Sequence, residues 1–319
     1  MLVGCDGGSA QSPLTAFPRS VLPAFASGIR PMHPDHRRSW MATDAKSTDL
    51  LYISDAESGD LYVYSYPQAK LKGALTGLDG PEGECVDNAG NVFVANTGAT
   101  EILEYAHGGT TPIATFGDSG YYPVGCAIDP TTGNLAITNI CREEYGQCVA
   151  DGDLLIYAGK HAPKTYSDSL IAEYYFCGYD DSGNLYIDGL YNSDFAFAEL
   201  PHHKSTFTNI TLNTFVYQPG GVQWDGKYVA VGNEDLNNNA IYEFSISGTQ
   251  GKLAHPGGTP LDGATLVGQF WIQGKVVIGP NRGGSGTVMF WKYPRGGSPT
   301  KVLNAFSTPV GAAVSTANS

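Results

Sequence analysis

Six short apolar runs in this 319-residue chain end on, or within a residue of, an Asp or Asn: Asp55, Asn96, Asn139, Asp188, Asn233 and Asn281. Carboxylate and amide oxygens gathered round one axis can hold a divalent cation such as calcium, or the polar groups of a sugar or peptide. Tyr121, Tyr122, Tyr174, Tyr175 and Tyr217 recur just ahead of neighbouring segments, so Tyr122 and Tyr175 would wall such a site. Two more carboxylates, Glu82 and Glu84, stand in Pro81-Glu-Gly-Glu-Cys-Val-Asp87. Glu84 falls in an otherwise apolar register, where a carboxylate needs a partner or takes a raised pKa. That makes it a candidate general base or ligand. It reads equally as a hydrogen-bonded structural Glu. The ring has a plain alternative too, because Asn and Asp are favoured at turns.

The elements that would position these groups are read from residues 81–116, four short strands a to d joined by three turns. The strands are β-branched or aromatic, and each turn carries Gly, Asn or Asp. One such meander cannot bury its own faces and needs copies beside it. The a–b turn recurs as Asp87-Asn-Ala-Gly90, Asp129-Pro-Thr-Thr-Gly133, Asp180-Asp-Ser-Gly183, Asp225-Gly226 and Gln273-Gly274. Its glycines fall at 90, 133, 183, 226 and 274, at spacings of 43, 50, 43 and 48 residues. A b strand follows each, and Leu50–Asp55 supplies a sixth. The c–d hairpin also recurs six times, from Tyr64-Ser-Tyr-Pro to Trp291-Lys-Tyr-Pro.

Repeats of four strands at about 40–50 residues are the signature of a β-propeller. The expected fold is all-β, one six-bladed β-propeller of four-stranded antiparallel blades over residues 40–319. Pro309-Val-Gly-Ala-Ala-Val-Ser315 repeats the Pro-x-Gly opening of Pro81, Pro123 and Pro219. It is therefore expected to close the ring as the inner strand of the first blade, in preference to Trp40–Asp44. Small residues at Gly83, Gly125, Gly221 and Gly311 suit a crowded axis.

Over about residues 48–315 the pattern resembles the NHL-repeat and lactonase-like six-bladed propellers, through Pro-x-Gly-x-x-x-Asp, the Gly-Asn-hydrophobic strand and Ile102-Leu-Glu-Tyr105. The Asn-His-Leu triplet that names the repeat is absent. The resemblance implies a divalent metal over the channel, held by an inner-strand Glu with Asn and Asp. The matching positions are Glu82 or Glu84, Asn96 or Asn139, and Asp188.

The net charge of −13 argues against a nucleic-acid partner, which needs clustered basic residues. No apolar run reaches membrane-spanning length. Residues 1–39 match no blade and read as a tether. Leu2-Val-Gly-Cys5 resembles a lipobox, so Cys5 is a lipidation candidate and the only route to a membrane. Cys141 and Cys148 bracket an inserted b–c loop and are expected to form a disulfide, which suits an oxidising compartment. Cys85, Cys126 and Cys177 are expected to be buried and unpaired; a Cys126–Cys177 bridge is the weaker alternative, since these two are equivalent in neighbouring blades.

No Gly-x-Ser-x-Gly and no Gly-rich phosphate loop is present. The expectation is an exported, periplasmic or cell-surface monomer that binds a glycan, peptide or protein ligand. The alternative is a metal-dependent, lactonase-like hydrolase. Either would use the face carrying the d–a and b–c loops, because only there do acceptors converge on an axis. His202 and His203 fall on the opposite face and are expected to be solvated. If the ring serves a ligand, alanine at Asn96 and Asn139 should change stability by no more than about 1 kcal/mol.

Overall fold

The a–b turns of the second, fourth and fifth blades close on their own aspartates. Asp87 accepts the N–H groups of Ala89 and Asn91, Asp180 those of Ser182 and Asn184, and Asp225 those of Lys227 and Tyr228. The glycines that follow, Gly90 and Gly183, sit at φ of 83° and 81°, which only glycine adopts without strain. These Asx turns fix the register of the strands on either side.

The computed structural model describes residues 38–317 except Ser119 and Ser285. It contains six sheets of at least four strands, one per repeat, antiparallel but for the short parallel pairing of Thr211–Leu212 with Gln250–Leu253, and almost no helix. The second blade orders Pro81–Val86, Val92–Asn96, Glu101–Tyr105 and Pro112–Gly117 from inside to outside. Inner strands of the third to sixth blades are Tyr121–Ile128, Glu173–Tyr179, Pro219–Trp224 and Trp271–Gln273. Pro309–Ser315 pairs with Leu50–Asp55, Leu50 opposite Ser315 and Ser54 opposite Gly311, and so becomes the inner strand of the first blade. Trp40–Met41 lies on that blade's outer edge, against Gly73 and Ala74. The lipidation candidate Cys5 and nearly all of the expected tether lie outside the described residues.

The b strands are buried through their central residues, and in Leu50–Asp55 and Val229–Asn233 along their whole length, because each is covered by a neighbouring blade on both faces. Core clusters accordingly lie between blades; one joins Phe93 and Ile102 of the second to Ile137 and Leu155 of the third.

The inner-strand glycines serve the same packing. A Cβ on Gly83 would lie 2.5 Å from Val124 O, on Gly125 2.7 Å from Tyr175 O, and on Gly178 2.6 Å from Val222 O. Each contact is with the next blade's inner strand. At the Gly83 level two larger side chains replace glycine, Phe176 and Gln269. Gln269 reaches the second blade, its amide donating to Glu84 O at 2.6 Å while its oxygen accepts Glu84 N–H at 2.9 Å.

One expectation is corrected. Cys85 is not free: it is bonded to Cys126, with Cα atoms 5.6 Å apart. Cys126, also expected to be unpaired, bridges to Cys85 and not to its equivalent Cys177. Around a ring, one side of each inner strand meets the other side of its neighbour, so non-equivalent positions come together. Cys177 is buried and free. Cys141 and Cys148 bridge the b–c hairpin of the third blade, their Cα atoms 5.5 Å apart.

Candidate functional site

Asp55, Asn96, Asn233 and Asn281 end their b strands, whereas the strands of the third and fourth blades run on past Asn139 and Asp188 to Glu144 and Tyr191; all six ring residues are buried. Most of their side-chain atoms are taken by backbone of their own blade. Asp55 accepts the N–H groups of Ser307 and Thr308 at 2.7 and 2.8 Å. Asn96 accepts Asp79 N–H at 2.7 Å, Asn233 accepts Tyr217 N–H at 2.6 Å, and Asn281 accepts those of Thr265 and Leu266 at 2.8 and 2.9 Å. Asp188 accepts Phe176 N–H at 2.8 Å. Each thus holds the d–a loop or inner strand that enters its blade. Asn139 differs, its amide donating to Asp153 Oδ1 at 2.7 Å.

These contacts assign a stability role that can be measured. Asn281→Ala would leave two part-buried N–H groups without their acceptor, at up to about 1–3 kcal/mol each. A loss of about 2–4 kcal/mol is expected in urea unfolding. A loss under about 0.5 kcal/mol, the range of an ordinary surface change, would contradict the clamp.

Tyr122 and Tyr175 pack into a small cluster with Val124, Ile140 and Leu190. Burial pushes the Tyr122 hydroxyl up to about 12. The metal candidates are held separately: Asn139 by Asp153, Asp188 by Phe176 N–H, and Glu82 beside Arg282. Among the described residues no three His, Cys, Asp or Glu side chains gather closely enough to hold a metal ion. Glu84 is fully buried beside Gly311 and Ser54. Burial pushes its carboxyl well above the usual range, with hydrogen bonds from Ser54 opposing.

Sequence reasoning missed the pair at the mouth of the channel. Arg282 donates through Nε and a terminal nitrogen to both oxygens of Glu234, each at 2.9 Å. These residues directly follow Asn281 and Asn233, so opposite charges at equivalent positions of adjacent blades were the available signal. Burial works against the Arg282 charge, but Glu234 and Glu82 outweigh it and hold its pKa above the usual value. Tyr175 donates to Glu173 at 3.2 Å, and burial pushes Glu173 up to about 7. Glu82, Tyr175, Phe176, Glu234 and Arg282 enclose a cleft of about 20 Å³, room for about one water molecule. The axis is a closed polar plug in this conformation.

Among polar side chains, this face exposes a group of large apolar ones. Tyr145 (99 % exposed), Val149, Tyr191 and Leu236 (63 %) stand on b–c loops; Leu170, Phe215 (79 %) and Tyr217 stand on d–a loops. All belong to the third, fourth and fifth blades or to the loops that lead into them. They are seven of the eleven exposed large hydrophobics among the described residues.

On the opposite face a cavity of about 570 Å³ opens between the third and fourth blades, beside the c–d hairpins. His202 and His203 stack there with ring centroids 3.7 Å apart.

No family model matches the chain, and no curated protein matches it. Solved structures do. A chain in the crystal structure of a nidogen/laminin complex superposes with a TM-score of 0.65 at 12 % identity, covering 85 % of this chain and all (100 %) of that one. A protein of unknown function from Bacteroides caccae superposes with a TM-score of 0.61 at 11 % identity, covering 84 % of this chain and 99 % of that one. At such identities the likeness shows the six-bladed fold alone.

Proposed function

We propose that this chain is an exported binding or scaffold propeller that takes a protein or peptide partner on its d–a and b–c loop face. The observation that carries this reading is the apolar arc over the third to fifth blades. Large apolar side chains left in water at loop tips are the composition of a recognition surface, and aromatic residues are enriched at such surfaces. The Cys141–Cys148 bridge stiffens the hairpin that carries Tyr145, which lowers the cost of ordering it on binding. Two disulfides support an oxidising compartment, with lipidation at Cys5 as one route to a surface. The water-sized axial cleft favours binding on the rim over chemistry at the axis. The propeller of the nidogen/laminin complex lends the reading a protein-binding precedent on the same fold.

Panning a random peptide library against the full chain tests it. Binders should lose at least about tenfold in affinity for Phe215→Ser/Leu236→Ser, at unchanged thermal unfolding. Peptides that keep their affinity would place recognition elsewhere. Selective capture of glycans in place of peptides, on a glycan array, would change the partner class.

A further inference from the structure

We propose that the cavity between the third and fourth blades is a second binding site, for a small organic anion with an apolar body, such as an aryl- or alkyl-carboxylate. The site is on the face opposite the apolar arc and does not rest on the protein-binding reading. Its volume, about 570 Å³, lies in the range of small-molecule pockets. Its rim is basic in a chain whose net charge is −13. His161 and Lys164 come from the third blade, His203 and Lys204 from the fourth. Among the described residues none of these four forms an ion pair. Placing the Lys164 and Lys204 ammonium groups without carboxylate partners in one groove costs mutual repulsion, which a bound anion would relieve.

The one carboxylate in the lining does not compete for them. Asp129 already accepts hydrogen bonds from Thr131 N–H, the Thr131 hydroxyl and the Thr132 hydroxyl, at 2.8, 2.7 and 2.6 Å. His202, behind the rim, has a buried Nε2 with no hydrogen-bond partner. A ligand oxygen would supply one, and a buried polar atom without a partner is costly. The floor is apolar: Ile156, Leu185 and Leu200 form the upper layer of the core cluster between the two blades. Inorganic phosphate would satisfy the rim and leave that floor wet. An amphipathic anion satisfies both.

The probe is 4-phenylbutyrate, titrated calorimetrically into the full chain at pH 7. Three results are expected. It should bind saturably at one site. The uncharged isostere 4-phenylbutanol and inorganic phosphate should each bind at least about tenfold more weakly. Lys164→Gln/Lys204→Gln should weaken 4-phenylbutyrate at least about tenfold while unfolding at the same temperature, since both side chains are exposed. No saturable binding up to about 10 mM would overturn the site. Undiminished binding to the double variant would overturn its location. Equal affinity for the alcohol would overturn the anion requirement, and equal affinity for phosphate the apolar one.

Discussion

Replacing Cys85 and Cys126 together by alanine is expected to remove about 3–4 kcal/mol of unfolding free energy. The bridge closes a span of 41 residues, which in the chain-entropy account restricts the unfolded state by about 4 kcal/mol. It also joins the inner strands of the second and third blades, where glycine lets the backbones touch. The same change at Cys141 and Cys148 closes only 7 residues within one hairpin and should cost less, about 2 kcal/mol at most. Guanidinium unfolding of the oxidised chain and the two double variants reads both. Thiol labelling in denaturant without reductant should mark Cys177 and none of the four bridged cysteines. A loss at Cys85/Cys126 below that at Cys141/Cys148 would show that the inter-blade link is not what resists opening.

The architecture was legible because every blade repeats the same local physics. In the second to fifth blades an aspartate caps the a–b turn, with Gln273 in its place in the sixth; a glycine follows in the left-handed region, and a strand rich in β-branched residues comes next. Ring closure was legible for the same reason, since Pro309-Val-Gly reproduces the opening of an inner strand. Contacts between non-equivalent positions were not. Cys85 meets Cys126, and Glu84 meets Gly311, because strands in a ring face their neighbours with opposite sides. The ring of Asp and Asn was found, but composition could not tell whether its oxygens face an axis or a loop. Hydrogen bonds to Thr265, Tyr217 and Asp79 decide in favour of the loop for much of it. The basic groove draws its cations from two hairpins about 40 residues apart in the chain, too far for any local pattern to join them.

Stability should be greatest in acid, near pH 4, and fall as the pH rises toward 8. Burial pushes Asp118 and Glu173 up to about 7 and Asp188 up to about 8. Unfolded, the same groups titrate near their ordinary values of 3.8 and 4.5. Below those values both states are protonated and the groups are neutral in effect. Between them and the raised values the unfolded chain releases protons that the fold retains, so each pH unit favours unfolding by about 1.4 kcal/mol per group. With three groups in the window, a slope of about 2–4 kcal/mol per unit is expected between pH 5 and 7. Asp129, whose pKa is lowered, acts in the other direction, but its window lies below its ordinary 3.8. Asp188→Asn isolates the cause. The amide oxygen can still accept Phe176 N–H, but nothing is left to ionise. The variant should match the parent near pH 4, gain on it steadily above pH 5, and be the more stable protein at pH 8. Denaturant unfolding of both chains at pH 4, 6 and 8 gives the comparison. Parallel pH profiles would mean that Asp188 ionises in the fold as freely as in the unfolded chain.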